Sequence, residues 1–363
     1  MSQNKVENTS LPDRQKLGFK FNREEAKETF MYFAQTREDE PRAEEYDPWG
    51  EGKIRKFKDL TISPAAVALN YGQAAFEGLK AFRIPKIKAD QPDDRIMLFR
   101  PQENARRFER SARRLVMPPV PVKRFIEAVE EVVRRNKRFV PNHDEGSLYI
   151  RPVMIGSGEV LGVDPAPSYT FYIYVQRVGE YRKEGGGRFI VLDDTDRVAL
   201  HSTGNIKAAG NYAGTLLPRE IAKKKGYTDV LYLDSRHSQF VEELGSSNFF
   251  AVYDDNTLVT PDLDGSILPG ITRDSVIEIA RHKGWAVEQR PLSIQEVLAR
   301  AKEAFFTGTA AAIQPIRMIH YNNTNHTIGA GLEGEMTREL RVSLVNIQTG
   351  QDDPFNWMHE VEL

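Results

Sequence analysis

The 363-residue sequence contains no cysteine. Disulfides, thiolate nucleophiles and thiolate metal sites are therefore excluded, and the chain fits a reducing compartment, which we take to be the cytoplasm. Histidine is scarce too: the seven residues show no HxxxH or HxH spacing, so no metal site is expected. An excess of one charge is also missing. Lys and Arg total 50 against 52 Asp and Glu, a formal net charge of -2, so no global field favours nucleic acid or an anionic membrane. No uncharged apolar run approaches the roughly twenty residues of a membrane helix. The opening stretch MSQNKVENTSLPDRQ lacks an apolar segment and is neither Arg-rich nor acid-poor, so no secretory or organellar signal is expected.

What is there is an ordinary globular composition, long enough for two domains that each bury a core. Residues before about Lys53 are polar and read as an extended arm with a short helix. PQENARRFERSARRL reads as a helix that stops at Pro118 and Pro119. PVKRFIEAVEEVVRR places Phe125, Val129, Val132 and Val133 on one helix face. GSLYIRPVMIGSG and SYTFYIYVQRVG are the strongest strand runs of the first half. Charge and three consecutive glycines in EYRKEGGGR mark a boundary. The division expected is an arm and small α/β domain over 1–178, a linker over 179–187 and a large domain over 188–363. Strands and helices alternate after it, so the fold class is mixed α/β.

Three features suggest a phosphorylated aldehyde cofactor. Between Arg197 and Arg219, Lys207 is the only Asp, Glu, Lys or Arg, packed among Ala, Gly, Asn, Ser and Thr. A lysine removed from water favours its neutral amine and can act as nucleophile or base; the plainer alternative is a lysine reaching the surface from a tight turn. LPGITRDSVIEIARHKG places a Pro269-Gly270 turn before a helix with Thr272 as its N-cap and Gly284 as its stop, and the helix N-terminus offers a phosphate cup. TGTAAA over 307–312 offers hydroxyls and approachable backbone N–H groups. GSGEVLG over 156–162 has the wrong glycine spacing for a dinucleotide fingerprint. The arginines at 106, 107, 110, 113 and 114 interleave with Glu103 and Glu109, which reads as a solvated helix face with one arginine turned inward.

YGQAAFEGLKAFR, LFRPQENARRFERSARRL, LYIRPVMIGSGEVLGV, GNIKAAGNYAG, EELGSSNFF, DGSILPGITRDSV and FFTGTAAAIQPI run in order from about residue 60 to 345. In these blocks the chain resembles the branched-chain amino-acid aminotransferases among the fold type IV pyridoxal-phosphate enzymes. The resemblance implies a smaller N-terminal α/β domain, a larger C-terminal pseudo-barrel domain and an active site between them. It implies pyridoxal 5'-phosphate as cofactor and transamination of leucine, isoleucine and valine with 2-oxoglutarate. It makes Lys207 the catalytic Schiff-base lysine, sets Glu243 against the pyridine nitrogen and Tyr212 on the phenolic oxygen, and gives the phosphate to Arg107, Ile271, Thr272 and Thr309. Ser246, where the family usually has Thr, and the Ala310 N–H would meet the substrate carboxylate. Phe76, Tyr71 and Tyr149 would line the apolar surface, and Arg151 would take the distal carboxylate of glutamate. Glu242, beside Glu243, reads as a surface strand residue. A redox CxxC that some members carry is replaced by Ala311 and Gln314.

The resemblance also implies a homodimer in which Leu161 and Val163 close the partner's pocket; independently, an apolar-tipped Gly-rich loop would otherwise face water. The competing readings are a D-amino-acid aminotransferase or aminodeoxychorismate lyase and, from another class, a non-catalytic small-molecule binding protein on the same fold.

Overall fold

The computed structural model describes residues 18–36, 47–85, 95–179, 186–253 and 255–363. The first sheet is built from β1 (Phe30–Gln35), β2 (Lys53–Lys56), β3 (Ala74–Phe76), β4 (Leu79–Ile84), β5 (Arg95–Phe99), β6 (Ser147–Gly156) and β7 (Tyr169–Val178). Its antiparallel pairs β6/β7 and β1/β7 carry Phe171, Ile173 and Val175 inward. Helices α1 (Arg23–Glu28) and α2 (Val67–Tyr71) are short, whereas α3 (Pro101–Arg114) and α4 (Val122–Arg135) cover the sheet. Phe125, Val129, Val132 and Val133 of α4 are fully buried against it, as the 3.6-residue spacing predicts.

One expectation fails at the amino end. Phe30–Gln35 is an interior strand between β7 and β2, with Met31 and Ala34 buried. The alternation of FMYFAQ is a strand signal, but the charged residues on both sides of it dominate the regional composition. The expected short helix of the arm is α1, while residues 1–17 and 37–46 of the arm lie outside the described residues, as does 180–185 of the expected linker.

The second sheet contains β8 (Gly187–Ile190), β9 (Asp229–Leu233), β10 (Val241–Leu244), β11 (Ser247–Tyr253), β12 (Leu258–Thr260), β13 (Val287–Gln289), β14 (Ala301–Gly308), β15 (Ala312–Tyr321) and β16 (Thr324–Thr327). The path runs β10-β9-β8-β15-β14-β11-β12-β13, and β10 also pairs with β11, which curls the sheet back on itself in a barrel-like closure. Helices α5 (Gly210–Ala213), α6 (Leu216–Lys224), α7 (Ile271–His282), α8 (Ile294–Arg300) and α9 (Glu335–Gln348) complete this part. The last strand, β17 (Met358–Val361), returns to pair with β5 of the first sheet.

Among the described residues no helix is long and apolar enough to cross a membrane.

Candidate active site between the two sheets

Lys207 sits where the two sheets meet. Its carbonyl accepts from Phe76 N–H at 3.2 Å, its own N–H donates to Ser111 Oγ at 3.0 Å, and Ala75 forms a bridge with Ala208. Backbone from β3 and a side chain from α3 thus fix the segment on which the amine stands. The small neighbours of Lys207 permit this approach, because a larger residue at Ala75 or Ala208, both buried, would push the two backbones apart.

Lys207 Nζ donates to Tyr212 Oη at 3.0 Å and lies 4.8 Å from the centroid of the Phe76 ring. Phe76 and Tyr212 pack at 5.0 Å. The Arg151 guanidinium also lies over Phe76, at 4.8 Å, and donates to Tyr149 Oη at 2.9 Å. Its buried Nε has no hydrogen-bond partner, and among the described residues no carboxylate is paired with it. Four residues named from the sequence, Phe76, Tyr149, Arg151 and Tyr212, therefore gather around the amine. Phe19, which nothing in its polar surroundings singled out, adds an edge-on ring contact to Tyr149 at 5.0 Å.

Behind this group lies Glu243, 3% exposed. Its Oε1 is 2.9 Å from Arg197 Nη2 and accepts Leu268 N–H at 3.1 Å, while Oε2 accepts Asn248 Nδ2 at 3.0 Å. Burial raises the carboxyl above its ordinary range, and Arg197, the Leu268 N–H and Lys207 oppose that rise. The sequence assigns neither Arg197 nor Asn248 a site role; a lone arginine ten residues before the lysine carries no local signal of its partner.

Ile271, Thr272 and Thr309 line one narrow cleft with Gly78 and Asn104. Helix α7 begins there without any side-chain cap, so its first N–H groups are available to an anion. The expected cap is corrected: Gly270 holds the N-cap position and Thr272 lies inside the first turn. Glycine is required at 270, since a Cβ there would stand 2.0 Å from Asn248 Oδ1.

Arg107 is the inward arginine of α3, 4% exposed. Glu77 takes its Nε at 2.7 Å and Nη2 at 2.9 Å, and the Pro269 carbonyl takes Nη1 at 3.0 Å. Those bonds use three of the five guanidinium N–H donors, leaving two for a further anion. Burial alone would raise the Glu77 carboxyl, but Arg107, with Lys207 and the Asn104 amide, holds the group below its ordinary range.

The turns carrying Ser246 and Ala310 approach each other, because a Cβ on Gly308 would lie 3.3 Å from Ser247 Oγ and 3.6 Å from the Ser246 carbonyl. Lys80 Nζ donates to the Ala310 carbonyl at 3.2 Å. Tyr71, Leu161 and Val163 form a separate surface group. Tyr71 Oη donates to the Leu161 carbonyl, and Leu161 and Val163 are 95% and 83% exposed.

Amine beside phenol, buried carboxylate beyond them and a helix N-terminus with arginine and threonine at one end form a donor set that fits pyridoxal phosphate. It offers an aldehyde-reactive nitrogen, a partner for a ring N–H and a phosphate cup.

The amino-transferase class IV family profile matches residues 75–319. The chain is 45% identical over 312 residues to branched-chain-amino-acid aminotransferase 5, chloroplastic, of Arabidopsis thaliana, covering 85% of this chain and 73% of the relative. It is 42% identical over 320 residues to the branched-chain-amino-acid aminotransferase of Helicobacter pylori, covering 86% and 91%. Among solved structures, the Escherichia coli branched-chain amino acid aminotransferase superposes with a TM-score of 0.74 at 28% identity, covering 85% and 97% of the two chains. A second bacterial-type neighbour, the branched-chain amino acid aminotransferase of Thermobaculum terrenum in its PLP-bound form, superposes with a TM-score of 0.73 at 26% identity, covering 92% and 98%.

Proposed function

This chain belongs to the branched-chain-amino-acid aminotransferases of amino-transferase class IV, and from that premise we propose how its own residues divide the work of the reaction. It is a pyridoxal-phosphate enzyme of fold type IV that transaminates branched-chain amino acids. The observation that carries the assignment of residues is the single Phe76 ring, with the Lys207 amine and the Arg151 guanidinium each 4.8 Å from its centroid.

Lys207 Nζ is the proton carrier. It takes the α-proton of the substrate and later returns a proton, and the Tyr212 phenol 3.0 Å away orients it through the hydrogen bond they share. Pyridoxal phosphate, when bound, supplies the electron sink that makes the α-proton acidic. Glu243, held by Arg197 and Asn248, pairs with the ring nitrogen. Arg107, Ile271, Thr272 and Thr309 hold the phosphate, and the hydroxyl of Ser246 with the N–H of Ala310 receives the α-carboxylate.

Phe76 and Tyr149 give the side-chain pocket an apolar wall that suits leucine, isoleucine or valine. Arg151 gives the same pocket a cation for the distal carboxylate of glutamate and 2-oxoglutarate, the second substrate pair in this reading. The exposure of Leu161 and Val163, with the Leu161 carbonyl bonded to Tyr71 on the short helix that carries the 61% exposed Leu69, supports a homodimer in which this patch covers the partner's pocket. A cytoplasmic location belongs to the same reading: a chain with no cysteine has no disulfide that calls for an oxidising compartment.

The test is the visible spectrum of the purified holoenzyme. Leucine and glutamate should each bleach the yellow absorbance and D-alanine should not. Borohydride should fix the cofactor on Lys207, and Lys207→Ala should fold while losing about 10²–10⁴-fold in rate. Label on another lysine would refute the assignment.

A further inference from the structure

We propose that the cavity beside β10, lined by Glu242 and not by Glu243, binds a small organic cation with a short apolar body, held by the carboxylate of Glu242. Glu242 is not the surface residue expected from the sequence: it is 3% exposed, and its Oε2 has no hydrogen-bond partner. Glu242 lines this cavity, whereas Glu243 spends its oxygens on the Leu268 N–H and the Asn248 amide, outside the cavity lining. A buried carboxylate oxygen without a donor is costly, and such a group marks a place where something is bound.

The neighbouring groups do not supply the missing donor. The backbone N–H donors of His237, Gln239 and Phe240 are already given to Asp234, at 2.7, 2.9 and 2.7 Å. The Ser266 hydroxyl lies 2.8 Å from Asp264 Oδ1 and also favours the charged Glu242 carboxylate, but its single proton leaves Oε2 without a partner. Arg236, on the cavity rim, is exposed. Burial pushes the Glu242 carboxyl up to about 7, reinforced by Asp264 and Glu243 and opposed by Ser266 and Arg197, so a positive charge beside it relieves a real penalty.

The shape of the cavity selects the ligand class. It encloses about 220 Å³ and is walled by Leu200, Phe240 and Ile267 on its apolar side, with Asp262 and Asp264 adding negative charge. Among the described residues no three His, Asp or Glu side chains converge as metal ligands. An ammonium or guanidinium group on a short hydrocarbon matches both the orphan carboxylate and the apolar wall. The walls are the backs of segments that serve the cofactor side: Leu200 lies on the run from Arg197 to Lys207, and Ile267 precedes Leu268, whose N–H binds Glu243.

Calorimetric titration of borohydride-treated holoenzyme with n-butylguanidinium tests the proposal, because the treated enzyme has no free aldehyde and the probe has no primary amine. Saturable binding of one probe per subunit is expected, with n-butanol giving none. Glu242→Gln should weaken the probe at least tenfold. Leu200→Lys, which offers the cavity an internal ammonium, should abolish binding and guards against a Glu242→Gln chain that fails to fold. Absence of saturable heat, equal binding of n-butanol, or parental affinity in either folded variant would overturn the site. None of these readouts depends on the role given to Glu243.

Discussion

Arg197 Nη2 lies 2.9 Å from Glu243 Oε1 in an ion pair almost sealed from water, each side chain being 4% exposed. Removing one member of such a pair leaves the other charge buried alone, which costs about 3–5 kcal/mol. Arg197→Met should therefore lower stability by that order and slow both half-reactions, since Glu243 then favours its neutral form. Combining Arg197→Met with Glu243→Gln should recover much of the stability without recovering the rate. Thermal denaturation with single-turnover kinetics checks this, and additive stability losses would show that the two residues act independently.

Arg151→Met should separate the two substrate classes. Leucine has no distal carboxylate to lose a partner, whereas glutamate does, and a charge-assisted hydrogen bond is worth roughly 1.5–3 kcal/mol. Half-reaction rates should fall at least about tenfold further for glutamate than for leucine. Equal losses would mean that Arg151 serves only to hold Tyr149 and Phe76.

Leu161→Asp should impair assembly and branched-chain turnover together, because an aspartate would be forced into the proposed interface. Sedimentation and leucine turnover are the paired measurements. Mixing this variant with Lys207→Ala chains should restore activity in those dimers that join an intact lysine to an intact loop. Verified mixed dimers without activity would contradict a shared site.

Glu242 gives a pH signature. Its carboxyl rises from an ordinary 4.5 to about 7 in the folded protein, chiefly through burial. Between those values the folded state keeps a proton that the unfolded state has lost, so this group makes stability fall as pH rises from about 4.5 to 7 and then level off. The full effect is on the order of 3 kcal/mol. Glu242→Gln should remove that slope in denaturant titrations across the range; an unchanged slope would mean that Glu242 titrates normally.

The strands and long helices were legible where periodicity stood alone, as in the buried face of α4 and the alternating runs of β6 and β7. Lys207 stood out as an isolated ammonium among small residues, but that pattern left a surface lysine open, and its role came from the family resemblance. Local pattern could not separate the roles of Glu242 and Glu243: all four residues of β10 are buried, so neither face gives an exposure signal. The cap of α7 was misread for a related reason. Thr272 suits a cap by type, but Gly270 holds the N-cap position where the Asn248 side-chain amide crowds it, and that contact joins residues 22 positions apart. Arg197, Phe19 and Glu77 likewise take their meaning from partners distant in sequence.

The pairing of β17 with β5 has a consequence for how the molecule is made. Met358 to Val361 supply an edge of a sheet whose other strands end at Val178, with Val361 2% exposed and Arg95 joined to Glu360 at 2.7 Å. During synthesis the first sheet thus waits with one border open until Met358 to Val361 have left the ribosome, and the intervening chain is threaded as an insertion between its parts. Deletion of residues 358–363 should cost the sheet that β17 joins more than the second sheet, and amide exchange at β5 would report it first.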